Sequence, residues 1–444
     1  MIIPSILLDS LEGVAGFNRE AFLGVHEAQY SITSVRLNPS KPAPLKTLKI
    51  DEKVPWTSHG YYLQERPSFT LDPLFHAGCY YVQEASSMFL EEAMRQVVDL
   101  SKQLKVLDLC AAPGGKSTMI QSIITPDSLL VSNEVIKSRV NVLQENLIKW
   151  GGSNVVITNN DAKDFASLES FFDVVVVDAP CSGSGLFRKD PEAIGEWSLN
   201  NVQLCSQRQQ RILADVIPSL KENGLLIYST CSYSEEEDEA IVNWLIAEFE
   251  FELVKLNVRP DWNIIETNGY RFYPDKIKGE GFFLACLRKK HGDPSAFLPV
   301  KKTSKVKGER SKVKSWINDD PSIDLVNHKE DILAMPLVIA QDLPLLQKHL
   351  YIRQAGTVIG KLTSKELIPD HSLALSLIVS ENIASVTLNK EQALQYLRKE
   401  EVLLDTEQKG WNLIKYEGHN LGWIKALPNR VNNYYPKEWR IFKR

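Results

Sequence analysis

The chain has 444 residues, 43% hydrophobic and 24% charged, which is the composition of a globular protein with room for roughly two to four domains and excludes a disordered or fibrous chain. No apolar run reaches the roughly 18 residues of a membrane helix, because Asp9 and Glu12 interrupt the first one and charges punctuate the rest; with no basic segment ahead of it, no signal peptide is read. Six scattered cysteines without repeated ligand spacing predict reduced thiols, no metal and a cytoplasmic location.

The net charge of -5 conceals an asymmetry, since residues 291–444 hold 23 Lys and Arg against 18 Asp and Glu, while residues 1–290 hold 28 against 38. Within 301–314 (KKTSKVKGERSKVK) seven basic residues face one acid. Such a run attracts a polyanion or serves as a solvated linker, and both readings stand at this point.

Taken in chain order, residues 1–75 carry prolines and no chemical motif, and are expected to form a small N-terminal domain. Residues 76–290 alternate short apolar runs (LKVLDL, SLLVS, NVVIT, DVVVVD, GLLIYS) with amphipathic stretches. That alternation predicts an α/β domain with a parallel sheet covered on both faces and a ligand site beyond the carboxyl ends of its strands. Residues 291–318 read as a basic linker and 319–388 as an intermediate domain of aliphatic runs. Residues 389–444 begin with a helix (KEQALQYLRKEE) and continue as short aromatic strands, predicting a small mixed or barrel-like module.

The strand ends carry the chemistry. LKVLDLCAAPGGKST runs from a strand through a turn of small residues into a helix, so a ligand could approach the backbone at Ala111, Ala112, Gly114 and Gly115. Gly115, Lys116 and Ser117 fit the end of a phosphate loop, but its first glycine would fall at Cys110, and no dinucleotide fingerprint is present. The next strand ends in Glu134, placed to accept from both hydroxyls of a ribose, and the third ends in Asp161, placed for an adenine amine. With neither phosphate loop intact, S-adenosylmethionine is the expected ligand. Each acid taken singly reads first as a cap or a solvated strand end; it is their succession after a glycine turn that makes a nucleoside pocket.

The fourth strand, DVVVVDAPCSGSG, predicts burial from Val174 to Val177 and emergence at Asp178, just before Cys181. The fifth delivers Cys231 in the equivalent place, followed by a helix that Ser234 and Glu237 would open as a capping box. Cys79, Cys205 and Cys286 are expected to be small buried hydrophobes.

CAAPGGK (110–116), DAPCSGSG (178–185) with FRKDP behind it, and TCSYSEEE (230–237) with a closing GEGFFLA resemble the Sun-type RNA cytosine-C5 methyltransferases, over about residues 75–290 beginning with YYVQEASSM. The tail KYEGHNLGWIKALPNRVNNYYPKEWR is similar to the PUA-like RNA-binding module of the RsmF type, which modifies bacterial small-subunit ribosomal RNA. The resemblance implies a Rossmann-like, seven-stranded class I methyltransferase sheet between a small, RNA-binding-like N-terminal domain over residues 1–75 and that module. It also implies that Cys110, Ala111, Ala112, Pro113, Gly114, Gly115 and Lys116 line the methionine and ribose side of S-adenosylmethionine, with Glu134 on the ribose and Asp161 near the adenine. Asp178 would face both cofactor and cytosine, Cys231 would be the nucleophile, and Cys181 would assist release. Many relatives have a histidine where this chain reads Asp275 in Tyr273-Pro274-Asp275.

The chemistry these residues would serve needs a thiolate at C6 of cytosine, which makes C5 nucleophilic toward a methyl sulfonium. Asp178, protonated in a desolvated site, would donate to N3. The expected activity is C5 methylation of a cytosine in RNA, with ribosomal RNA of the small subunit as partner and the enzyme acting as a monomer. A transfer-RNA substrate and a noncatalytic assembly factor are the alternatives; a DNA-type enzyme would attack with Cys181 and leave the TC motif unexplained.

Overall fold

A computed structural model describes residues 3–28, 32–44, 46–291, 310–402, 404 and 408–443. Residues 301–309 of the basic run fall outside these, and with them its polyanion or linker reading; the rest of the run forms the helix Arg310–Lys314, whose Val313 is buried in a core with Ile317 and Trp423 rather than lying in a solvated linker.

Each predicted apolar run of the central region forms a strand. Lys105–Asp108 (β5), Leu129–Asn133 (β6), Val155–Thr158 (β7), Phe172–Asp178 (β8) and Leu220–Thr230 (β9) pair in parallel in the order β9-β8-β5-β6-β7. Valines at successive positions of β8 serve opposite faces. Val174 and Val176 pack toward the helices Phe89–Val97, Gly115–Ile123 and Lys137–Trp150, and Val175 and Val177 toward the helices Leu199–Val216 and Leu337–His349. Burial on both faces is why the strand reads as an unbroken apolar run, and each such valine contributes roughly 1.5–3 kcal/mol.

Two antiparallel strands, Tyr270–Phe272 (β12) and Phe282–Lys289 (β13), follow β9 at one edge and complete a seven-stranded sheet of the kind expected. The sheet then grows by three more strands: Ile265–Glu266 (β11) beyond β12, Phe251–Leu253 (β10) against β13, and Ile352–Ala355 (β16) against β7. The last comes from the intermediate segment, whose other strands, Ile323–His328 (β14), Asp331–Pro336 (β15), Thr357–Leu362 (β17) and Leu367–Pro369 (β18), form their own antiparallel sheet. The C-terminal module holds Ser385–Thr387 (β19), Gly410–Tyr416 (β20), His419–Leu427 (β21) and Arg430–Asn433 (β22). Its helix Lys390–Arg398 opens with an Asn389–Gln392 capping box.

The N-terminal sheet consists of Ser34–Leu37 (β1), Ile50–Lys53 (β2), Gly60–Leu63 (β3) and Tyr80–Val82 (β4), in the order β2-β3-β1-β4, so it extends to residue 82. It is fastened to the catalytic domain by two buried cations. Arg36 donates to the Gln83 side chain at 2.9 Å and to Thr118 Oγ1 at 2.6 Å, with its guanidinium over the Trp150 ring. Lys41 Nζ donates to the carbonyls of Ala77 (3.0 Å), Lys149 (2.6 Å) and Leu375 (2.6 Å), one from each of three parts of the chain. The N-terminal and C-terminal modules also share one apolar core, in which Val35, Leu74 and Tyr80 meet Tyr396, Leu397 and Ile424.

Two histidines sit at this junction. Burial pushes His76 down to about 3, and His371, whose ring nitrogens find no hydrogen-bond partner among the described residues, likewise to about 3. Between about pH 6.5 and 3 the unfolded chain therefore binds protons that the folded chain refuses, so stability falls on acidification through that window. The expected result is a melting temperature that drops from pH 6.5 to 4.5, with a shallower slope in His371→Phe. Identical slopes would assign the acid sensitivity elsewhere.

Candidate active site

Parallel pairing of β8 with β9 puts Asp178 opposite Ser229, so the chains that leave these strands run side by side. They bring the two thiols together, with Cys181 Sγ 2.8 Å from Cys231 Sγ. Behind them the backbones approach so closely that a Cβ on Gly185 would lie 2.8 Å from the Cys231 carbonyl, the group to which the Gly185 N–H donates. Cys110, Cys181 and Cys231 are partly exposed, whereas Cys79, Cys205 and Cys286 are buried, the last three as expected of structural thiols. The hydrogen bond with Cys231, then burial, pushes the Cys181 thiol well above its ordinary range.

A cavity of about 160 Å³ is lined by residues 110–113, Gly115, Lys116 and Asp178 together with Tyr81, Gln83 and Glu84. Gly114 turns the chain at φ +112° into the helix Gly115–Ile123. Beneath the turn Asp108 is fully buried and accepts from Ser117 at 2.6 Å, its other oxygen lacks a partner among the described residues, and burial pushes it up to about 7.

Asp178 lies on the cavity wall, with Oδ2 2.7 Å from Lys116 Nζ and Oδ1 accepting from Ser229 at 2.8 Å. Its side chain keeps 35% exposure, so the desolvated surroundings expected for a protonated acid are not those of the free protein. Glu134 and Asp161 stand at the ends of their strands but do not line this cavity. Glu134 is buried, accepts from the Ile136 N–H at 2.8 Å and lies 3.3 Å from Arg139, which itself reaches the Ala112 carbonyl. Asp161 accepts from the Lys163 N–H and pairs with Arg211 at 3.0 Å.

Sequence reasoning missed several of these contacts. Ser234 makes no side-chain cap; the segment Glu235–Glu237 is a 3-10 turn before the helix Glu239–Phe249, and Glu237 points inward to Ser182 and Ser232. A buried carboxylate is better satisfied by those hydroxyls than by a helix end, and spacing alone does not distinguish the two. Glu84 accepts from the N–H groups of Ser86, Ser87 and Glu280, and Arg188 pairs with Glu280 at 3.1 Å, which ties the FRKDP and GEGFF segments together. Tyr273 is buried and stacked on Tyr233, and Asp275 pairs with Lys276 at 3.3 Å.

A family model described as "16S rRNA methyltransferase RsmB/F" matches residues 95–288, one for the RsmF N-terminal domain matches 3–85, and one for the methyltransferase RsmF PUA domain matches 384–441. Ribosomal RNA small subunit methyltransferase F of Aeromonas salmonicida is 30% identical over 412 residues, covering 87% of this chain and 85% of that protein. The chain belongs to the RsmB/F family of 16S rRNA methyltransferases. A methyltransferase homolog protein from Pyrococcus horikoshii is 28% identical with a TM-score of 0.52, over 65% of this chain and 100% of that one. NSun6 from the same organism, solved with SFG, is 20% identical with a TM-score of 0.55 over 65% of this chain and 98% of that one, and shares the fold.

Enzymes of this family take their methyl group from S-adenosylmethionine, and the methionine side of such a donor would meet the cavity of this chain. Its floor is made of small residues, and a Cβ added at Gly115 would come within 3.3 Å of the Tyr81 ring across it. The unpartnered Asp108 oxygen leaves acceptor capacity below the turn.

Proposed function

We propose that this protein methylates C5 of a specific cytosine in small-subunit ribosomal RNA, acting in the cytoplasm as a monomer without a metal ion. The observation that carries this reading is the pair of thiols, 2.8 Å apart on the loops that follow β8 and β9, with Asp178 at the end of β8 standing in the wall of the cavity formed by the turn at 110–116. When bound, S-adenosylmethionine supplies a methyl sulfonium electrophile. The turn residues Cys110 to Lys116 hold its methionine and ribose side, Glu134 its ribose hydroxyls once Arg139 moves aside, and Asp161 its adenine amine.

Cys231, as thiolate, adds to C6 of the cytosine and makes C5 nucleophilic. Asp178 takes up a proton as the entering base displaces water and donates it toward N3, where charge builds on the ring. Lys116 holds the Asp178 carboxylate in place until then. After transfer the C5 proton passes to a solvent base, its electron pair re-forms the C5–C6 double bond and the C6–S bond breaks, with Cys181 assisting from the opposite loop by giving its proton to the departing Cys231 sulfur. A paired base hides C6, so the target nucleotide must be single-stranded or turned out of its helix.

Mapping 5-methylcytosine in total RNA from cells with and without the protein tests the substrate. One small-subunit position should lose its methyl group, and a loss confined to transfer RNA would overturn the ribosomal reading. For the donor pocket, Glu134→Ala should weaken S-adenosylmethionine binding about 10- to 100-fold by calorimetry, the worth of charge-assisted bonds of roughly 1.5–3 kcal/mol. Unchanged affinity in a folded variant would remove Glu134 from the pocket.

A further inference from the structure

The two thiol loops are joined beneath the site by one carboxylate. Glu237 is fully buried. Its Oε1 accepts from the Ser182 N–H at 2.8 Å and the Gln209 amide at 3.2 Å, and its Oε2 from the hydroxyls of Ser182 at 2.5 Å and Ser232 at 2.7 Å. Ser182 directly follows Cys181 and Ser232 directly follows Cys231. Gln209, on the helix Leu199–Val216, also donates to the Pro180 carbonyl at 3.1 Å, so the Cys181 loop is gripped on both sides of its thiol. The Tyr228 hydroxyl donates to the Glu237 carbonyl at 2.6 Å and fixes the turn from which the carboxylate reaches in.

We propose that Glu237 is a positioning residue: through its bonds to Ser182 and Ser232 it sets the spacing between the Cys181 and Cys231 backbones and the different surroundings of the two thiols. The inference rests on the roles given to the two thiols above. In the free protein the sulfurs lie 2.8 Å apart, which leaves no room for a base between them. The side chains must rotate apart to admit the ring, and a four-bonded tie under the loops lets them do so without the backbones spreading. Misplacement by about 1 Å at such a step costs on the order of 10²-fold in rate.

The charge of the tie acts in the same direction. Glu237 adds to the effects of Cys231 and of burial that push Cys181 up. The titratable groups facing Cys181 are Cys231 and Glu237 beyond β9 and Tyr228 on β9. The proton that a release-assisting thiol handles is thereby retained through the attack step.

The test compares wild type with Glu237→Gln, which keeps the reach but removes the charge, and with Ser182→Ala/Ser232→Ala, which removes two donors but keeps the charge. Alkylation of Cys181 against pH, followed by mass spectrometry on the protein alone, should move to lower pH in Glu237→Gln and stay high in the serine variant. Turnover should fall about tenfold or more in both, with KM for RNA within about twofold of wild type. A Cys181 profile that does not move in Glu237→Gln overturns the inference, as does a turnover loss that only follows loss of folded protein. Alkylation needs neither RNA nor methyl donor, so a wild type that fails to methylate cytosine would sink the proposed function separately.

Discussion

Cys231→Ala should abolish methylation and leave no protein-RNA adduct, while Cys181→Ala should attack, transfer the methyl group and then stall as an adduct that survives denaturing electrophoresis. The first loss is expected to exceed about 10³-fold, because without the C6 bond the ring carbon is too weak a nucleophile for the remaining groups to compensate. The second variant should show a single turnover. The two sulfurs are near-equivalent in position, 2.8 Å apart at the ends of adjacent parallel strands. Their difference therefore lies in what each contacts, and the gel separates the two roles directly. Adducts formed by Cys231→Ala and absent from Cys181→Ala would reverse the assignment and point to the DNA-type mechanism.

Arg271→Met should destabilise the protein by about 3–5 kcal/mol, the usual loss when one partner of a buried ion pair is removed. Arg271 is 2% exposed, donates to the Tyr233 carbonyl at 2.9 Å and lies 3.2 Å from Asp238 Oδ2, with Glu239 closing the pair. Asp238, at 0% exposure, also accepts from Thr230 at 2.6 Å, so the substitution would strand a buried acid under the segment that bears Cys231. Urea unfolding should show the shift in midpoint, and the double variant Arg271→Met/Asp238→Leu should recover part of it. A single variant within about 1 kcal/mol of wild type would mean that Asp238 is already neutral in the fold.

The five central strands and the placing of Asp178, Cys181 and Cys231 were legible in the sequence for one reason. A strand buried on both faces leaves an uninterrupted apolar run, and its end is marked by the first polar residue. Glu237 was misread because the spacing of Ser234 and Glu237 is that of a capping box, and only the fold reveals that Ser182 and Ser232 compete for the same carboxylate. Glu134 and Asp161 do end their strands, yet Arg139 and Arg211 hold them in the free protein; the second pairing joins segments 50 residues apart and carries no local signal. The same holds for Lys41, whose three carbonyl partners span residues 77 to 375. Its neighbourhood of prolines gives no hint of a junction.

One strand bears on how the protein comes to exist at all. The catalytic sheet ends on β16, so the rim that β7 would present alone is capped by a segment roughly 200 residues later in the chain. At a synthesis rate of about 5–20 residues per second, β7 waits on the order of 10–40 s for that partner, its N–H and C=O groups bare and its residues Val155, Val156 and Ile157 strongly β-forming. The nascent catalytic domain is thus a sticky, half-finished sheet for as long as translation of the middle of the chain lasts. A ribosome that stalls between residues 160 and 350 leaves a chain primed to pair edge to edge with its neighbours, and the last third of the polypeptide acts as a built-in guard against that fate.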